Sequence, residues 1–232
     1  MISVRATLAS LLALCLSACG SFTYDGTPPG QLKGQLLVIW VGEDKFVYWP
    51  RTSDPLTFTL GPDLQQKLGV QTVRPGLMYT DGGSIPRPLR ALDGFSPWGY
   101  APAYILHDWA FHAHYCNVEE VPHDPKDAME YEKISRFQFE DSAALLAEVM
   151  KTLMINNRVT TNSEAFNLIS FGVDSVVARN LWNSTAANLC DPVSPAHQAM
   201  IENALRQKSL RGLLSGAGSP GTPPLIVHSQ MF

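Results

Sequence analysis

The segment at positions 102–115, PAYILHDWAFHAHY, constrains the fold more than any other stretch of this sequence. Pro102 suits the first turn of a helix, and nearly every other position is apolar or aromatic. A helix that is apolar on almost all sides must be surrounded by other elements. The exceptions include His107 and Asp108, which would need polar partners once they are buried. The segment therefore predicts a central helix that carries a candidate site.

The elements on either side of this helix differ in type. Short runs rich in β-branched and aromatic residues precede it, at 36–41, 45–49, 56–60, 71–74 and 77–80. Helical patterns follow it, at 126–154, from 161 or 162 to 182, and at 194–213. Strands first and helices second predict an α+β fold, a small antiparallel β-sheet packed against a C-terminal bundle of about four helices.

The N-terminus is typical of an exported protein. Positions 1–18 read as a signal peptide, because a short apolar run follows Arg5 and small residues follow the run. The end of this segment, Leu16-Ser17-Ala18-Cys19, resembles a bacterial lipobox, in which Cys19 is acylated and becomes the first mature residue. Gly20 then favours sorting to the periplasmic face of the outer membrane. The alternative is an ordinary signal peptide in which Cys19 is incidental.

The mature chain divides further by composition. Positions 19–34 are rich in glycine, proline and polar residues and predict a tether, followed by one domain at 35–213. Positions 214–232 predict a flexible tail, in which Leu225 to Val227 could dock as a short strand. Cys116 and Cys190 are the cysteines left in the domain, and an oxidising compartment favours a disulfide between them; two separate buried thiols are the alternative.

Charge and composition limit the partners. The chain of 232 residues has 17 Lys and Arg against 21 Asp and Glu, without a long basic run, which argues against a nucleic-acid partner. The membrane, reached through Cys19, is the predicted partner, and the sequence identifies no protein partner.

Several polar residues interrupt apolar patterns. Asp141 lies on the apolar stripe of the helical pattern that follows residue 126, and acids are rarely buried unless paired. The loop Thr80-Asp81-Gly82-Gly83-Ser84-Ile85-Pro86 leaves the β part, and its glycines permit close approach of a ligand. We expect one group at the junction of strands and helices, formed by Asp81, Ser84, His107, Asp108 and Asp141.

These residues also carry a family resemblance. The stretch TDGGSIPR at 80–87, the aromatic-glycine step at 98–100 and the His-Asp pair at 107–108 resemble the uncharacterised, often phage-associated family called domain of unknown function 1353. Arg136, Glu140 and Asp141 are similar to its last element, and the resemblance covers about residues 34–183. This sequence departs from the pattern after Asp108 and inserts 116–124. The resemblance implies the domain limits and the site, and it implies no known reaction.

The first functional hypothesis is a hydrolase acting on lipid or cell-wall material. His107 would be the general base toward water, oriented by Asp141 or Asp81, while Asp108 and the amides of Gly82 and Gly83 would serve an oxyanion or a metal. A glycine-rich loop followed by a helical His-Asp pair is loosely similar to secreted phospholipases A2. Ser84 as a nucleophile is a narrower version. A divalent cation is a further expectation, with its ligands drawn from Asp81, His107, Asp108 and Asp141.

The second hypothesis is a non-catalytic envelope lipoprotein that binds a partner or has a structural role. In that case a buried polar network would lock the strand and helix parts together, and each member would be needed for stability without any turnover. The expected members are Asp81, Arg87, His107, Asp108, Arg136 and Asp141.

Overall fold

The computed structural model describes residues 22–42, 45–81, 99–213 and 226–232. The strands within these ranges are β1 (Gln31–Lys33), β2 (Gln35–Gly42), β3 (Lys45–Tyr48), β4 (Thr57–Thr59), β5 (Thr72–Val73), β6 (Met78–Thr80) and β7 (Ile226–Met231). The helices are α1 (Pro62–Leu68), α2 (Ala101–Val118), α3 (Ala128–Ile134), α4 (Phe139–Ile155), α5 (Ser163–Val173), α6 (Val176–Trp182) and α7 (Pro195–Leu213). The fold is α+β, as the sequence predicts, with the helices mostly in the C-terminal half.

The strands form two small antiparallel sheets rather than one. The first has the order β1-β4-β5 and the second the order β6-β3-β2-β7. Side chains of β2 alternate between two cores: Leu36 and Val38 join the main one, whereas Leu37 and Ile39 pack in a smaller cluster with Ile201 of α7. The four-stranded sheet is therefore covered on both faces, which explains the continuous apolar run of β2.

The C-terminal segment supplies part of this sheet. Strand β7 pairs antiparallel with β2, with Leu36 opposite Gln230 and Leu37 opposite Ser229. Residues 226–231, expected within a flexible tail, are thus an edge strand that overlaps the short strand expected at 225–227. A strand buried on both faces needs partners for its backbone groups on each side, and β7 provides one side.

Two helical patterns each break into two helices. The pattern at 126–154 becomes α3 and α4 because Gln138 takes an extended conformation (φ −97°, ψ 171°) and caps α4. The pattern ending at 182 becomes α5 and α6, since the Ser175 side chain accepts a hydrogen bond from the Ala178 backbone N–H and starts a new helix. From α2 onward the described helices consequently number six, against about four expected.

The expected tether is largely packed on the domain. Phe22 and Tyr24 lie against the main core, and the Tyr24 and Phe166 ring centroids are 5.6 Å apart in an edge arrangement. The Gly30 N–H donates to Thr152 Oγ1 of α4 at 2.9 Å, just before β1 begins. From residue 22 onward the segment therefore belongs to the body.

Helix α2 is the centre of the molecule, as its apolar sequence predicts. It packs against α3, α4 and β6, and eleven of its residues are buried. Its last turn is fixed by a disulfide between Cys116 and Cys190, whose Cα atoms are 4.7 Å apart. The predicted bridge is confirmed, and it joins α2 to the segment that leads into α7. None of the described helices is long and apolar enough to cross a membrane.

Candidate functional site

His107 lies in the second turn of α2 and is directed toward α4. Its Nδ1 is 3.1 Å from the backbone carbonyl oxygen of Ser142. A carbonyl can only accept, so this contact places the proton on Nδ1 and leaves the lone pair of a neutral imidazole at Nε2. The ring also packs against Phe111, with centroids 5.0 Å apart. The side chain is half-buried and held in one orientation.

The surroundings of His107 favour the neutral ring. Burial lowers its pKa to about 4, against smaller opposing effects of the Ser142 carbonyl and the Asp81 charge. At neutral pH His107 is therefore an uncharged acceptor through Nε2. So weak a base is a poor match for proton transfer near pH 7.

Asp108 faces β6, on a different side of α2 from His107. Successive positions on a helix point about 100° apart, so Asp108 turns away from α4 and toward β6. Its Oδ2 accepts a hydrogen bond of 2.6 Å from the hydroxyl of Thr80. Burial raises the pKa of Asp108 to about 7, and the nearby Asp81 charge adds to that increase, while the Thr80 hydrogen bond opposes it. A carboxyl with this pKa can take and return a proton near neutral pH.

Asp81 couples the two groups. It follows β6 directly, is exposed, and its charge acts on both His107 and Asp108. The strand end thus brings Thr80 and Asp81 to the two consecutive residues of α2. We call Thr80, Asp81, His107 and Asp108 the His–Asp site.

Asp141 does not take the catalytic role of the first hypothesis, and its contacts fit the structural role of the second. Its Oδ2 accepts from the Gln138 backbone N–H at 2.9 Å, which closes a capping box at the start of α4. Its Oδ1 pairs with Lys67 Nζ of α1 at 2.6 Å. The carboxylate of Asp141 is therefore engaged by α1 and the helix cap, and the prediction that it orients His107 is wrong.

Asp141 belongs to a set of buried acids that joins the helices to the N-terminal half. Glu148 Oε2 accepts from the Gly61 N–H at 2.7 Å, and Glu130 Oε2 accepts from the Arg74 N–H at 3.0 Å. These three carboxyls are 1–5% exposed. We call Glu130, Asp141 and Glu148 the polar lock. Because each contacts a residue between β4 and β6, together they fix α3 and α4 to the strands.

The burial of Glu148 changes the proton affinity of its carboxyl. Burial raises its pKa to about 7, opposed by the Gly61 N–H and reinforced by the Asp63 charge. Glu130, by contrast, is paired with Lys133 at 2.8 Å. The lock thus combines ion pairs with one carboxyl that stays largely protonated below neutral pH.

Among the described residues, Arg136 falls outside both groups. Arg136 is exposed and pairs with Glu132 at 3.2 Å on the surface of α3, so its expected place in the buried network is wrong. Cys19, Gly82, Gly83, Ser84 and Arg87 lie outside the described residues.

The residues expected to bind a cation do not come together in the described part of the chain. Among residues 22–42, 45–81, 99–213 and 226–232, no group of three or more His, Cys, Asp or Glu side chains is arranged to hold a metal ion. Asp141 binds Lys67 and the Gln138 N–H in the polar lock, so the four proposed ligands do not form one set.

No family model, curated protein or solved structure matches this chain. The resemblance to domain of unknown function 1353 therefore stays a prediction from the motifs.

Sequence reasoning missed two acids of the lock and the partners of all three. Glu148 stands between Ala147 and Val149 in an apolar run, which is the same signal that singled out Asp141. Lys67 gave no signal, because α1 is short and was not predicted. Thr80 was inside the highlighted loop motif, but a hydroxyl next to an acid does not show which carboxyl it will bind.

Proposed function

We propose that this chain is a hydrolase of the bacterial envelope that cleaves an ester or amide bond in lipid or cell-wall material at the His–Asp site. The observation that carries the proposal is the pairing of opposite environments on consecutive residues. Burial keeps His107 neutral while the Ser142 carbonyl fixes its orientation, and burial together with the Asp81 charge raises the pKa of Asp108 to about 7. Carboxyl and imidazole groups whose pKa values are shifted in this way are typical of sites that transfer protons.

Asp108 is the better candidate for the general base. A base works best when its pKa is close to the operating pH, which Asp108 satisfies and His107 does not. His107 then serves as the acceptor that orients water or a substrate donor through Nε2. Asp81 acts through Asp108, because its charge keeps the proton affinity of that carboxyl high.

The reaction balances with these groups alone. Asp108 takes a proton from water as the water oxygen forms a bond to the carbonyl carbon of the substrate. The carbon–oxygen or carbon–nitrogen bond to the leaving group then breaks, and Asp108 returns the proton to that group. Gly82 and Gly83 remain the sequence-based expectation for stabilising the oxyanion.

The polar lock supports a functional rather than a structural reading of the His–Asp site. Strands and helices are already joined by Glu130, Asp141 and Glu148, each with a partner in the N-terminal half. A second buried network is not needed for that purpose. Keeping Asp108 next to the like charge of Asp81 costs stability, which is common where function requires it.

The disulfide supports the proposed location. Bridges such as Cys116–Cys190 form and persist in oxidising compartments, which include the bacterial periplasm. Acylation of Cys19 as the anchor remains part of the proposal.

The test compares three variants of the purified full chain on phospholipid, lipopeptide and peptidoglycan substrates. Asp108→Asn should lower kcat by about 100-fold or more, the usual contribution of a general base. His107→Gln should lower it by a smaller factor. His112→Gln is the matched control, because His112 lies on the same helix, is half-buried, and has a pKa also lowered to about 4 by burial.

The alternative of a non-catalytic envelope module makes the opposite prediction. In that case no substrate is turned over, and Asp108→Asn and His112→Gln change only the free energy of unfolding. Asp141→Asn distinguishes the polar lock from the His–Asp site. Substitution of a lock residue should reduce the free energy of unfolding and leave the kcat of the folded protein unchanged.

A further inference from the structure

Two consecutive helices present large apolar side chains to solvent. Leu168 and Phe171 of α5 are 44% and 40% exposed, and Val176, Val177 and Leu181 of α6 are 71%, 79% and 51% exposed. Only Asp174 and Ser175 separate the two helices, so Phe171 and Val176 are close along the chain. We call these five residues the α5–α6 face. Clusters of this kind mark contacts with a partner or a membrane.

The N-terminal segment is fixed next to this face. The Tyr24 N–H donates to Asn167 Oδ1 of α5 at 3.0 Å, and Asn167 is exposed beside Leu168 and one turn before Phe171. Lys151 Nζ donates to the Tyr24 carbonyl at 2.7 Å and lies 3.3 Å from the centroid of the Tyr24 ring. Tyr24 is therefore held at the edge of the exposed stripe of α5.

The proposed lipid anchor, Cys19, is only three residues before Phe22. Three residues span at most about 10 Å even when fully extended. An acylated Cys19 would hold Phe22 within that distance of the bilayer, and Tyr24 links this segment to Asn167 in the middle of α5. A long tether would have left the orientation of the body free, but this short connection does not.

We propose that the α5–α6 face docks on the lipid bilayer, with the side chains of the face inserted among the lipids around the Cys19 anchor. The inference rests on the acylation of Cys19 in the proposed function and adds the orientation of the domain. An amphipathic face of this kind enters about 5–10 Å into the interface between headgroups and acyl chains.

Charge decides which lipid chemistry the face fits. Arg179 is the only cation in the sequence of α5 and α6, and it is paired with Glu140. The face thus lacks the basic residues that attract anionic lipids, and its docking depends on apolar insertion. We expect it to dock equally on phosphatidylcholine vesicles and on vesicles that contain phosphatidylglycerol.

The experiment uses the full chain, processed with its own signal peptide and reconstituted into vesicles of each lipid. A cysteine at position 171 is the one thiol open to labelling, since Cys19 is acylated and Cys116 is bridged to Cys190. Phe171→Cys carries an environment-sensitive fluorophore. Met129→Cys is the matched control, because Met129 is an apolar residue 67% exposed on α3.

The label at 171 should be quenched by brominated lipid and be about twofold or more less accessible to aqueous iodide than the label at 129. Equal iodide quenching at the two positions, with Cys19 acylated by mass spectrometry, would overturn the docking proposal alone. Shielding of position 171 without quenching by brominated lipid would indicate a protein contact, such as a second copy, and would also overturn it. An unacylated Cys19 peptide would overturn the proposed anchoring and the docking together.

Discussion

At the scale of single residues, the direction of each side chain decides its chemistry. His107 and Asp108 are adjacent, yet one meets a helix carbonyl and the other a strand hydroxyl. Burial favours the neutral form of each group, so it lowers the pKa of the imidazole and raises the pKa of the carboxyl. Two polar neighbours on one apolar helix thereby become an acceptor and a titrating group.

The charge of Asp81 predicts a shift in the pH profile. Activity should rise with pH as Asp108 loses its proton near pH 7, because a base must be ionised to act. In Asp81→Asn the repulsion that raises the pKa of Asp108 is gone, so the midpoint of kcat/KM should move to lower pH. At alkaline pH the variant should approach the wild-type rate.

The measurement is kcat/KM from pH 5 to pH 9 for both proteins. Asp54→Asn, an exposed carboxyl in the loop after β3, is the control and should leave the midpoint unchanged. A midpoint that stays in place in Asp81→Asn would show that Asp108 is not the group that controls the rate.

At the scale of elements, the buried acids explain how helices and strands are joined. The sequence pattern predicted α2 and α7 well, because their residues form long helical runs with a proline in the first turn. It did not predict the break before α4, where Gln138 and Asp141 form a cap. The pattern showed an acid on an apolar stripe, and only the extended backbone at Gln138 shows that this acid caps the start of a separate helix.

The raised pKa of Glu148 leads us to predict that the free energy of unfolding depends on pH. Its pKa is about 7 in the folded protein against 4.5 as the ordinary value, so between these pH values the folded state holds a proton that the unfolded state has lost. The free energy of unfolding from this group therefore falls as pH rises through that window and is lowest above pH 7. Glu148→Gln cannot ionise and can still accept from Gly61.

We expect the free energy of unfolding of Glu148→Gln, relative to that of the wild type, to increase by roughly 2 kcal/mol from pH 5 to pH 8. Urea unfolding at the two pH values measures it. The lowered pKa values of His107 and His112 act in the opposite direction below pH 6.5, but they are common to both proteins and cancel in the difference. Glu132→Gln, an exposed carboxyl of α3, should show no such gain. A gain of the same size in both variants would contradict a buried origin.

At the scale of the whole molecule, the disulfide and β7 connect distant parts of the chain. The Cys116–Cys190 bridge closes a loop across 74 positions that contains α3 to α6, and β7 returns the C-terminus to β2. Cross-linking a loop of this length limits the unfolded chain, which stabilises the folded state.

The double variant Cys116→Ala with Cys190→Ala should therefore lose about 2–4 kcal/mol of stability in urea unfolding. The wild type unfolded with a reducing agent should lose a similar amount, because both treatments remove the same constraint. Unfolding midpoints that coincide in the bridged and reduced proteins would contradict this expectation.

The sequence by itself determined the fold class, the central helix and most strand positions, favoured the disulfide that the structure contains, and singled out His107 and Asp108 as polar residues on an apolar helix. These follow from local periodicity, composition and the cost of burying polar groups, which a linear pattern records. Tertiary structure alone decided that Asp141 caps α4 and binds Lys67, that Glu130 and Glu148 complete the polar lock, and that residues 22–34 pack on the body. Each of these depends on partners distant in sequence, because a buried charge is satisfied by whichever group the folded chain brings within hydrogen-bond distance.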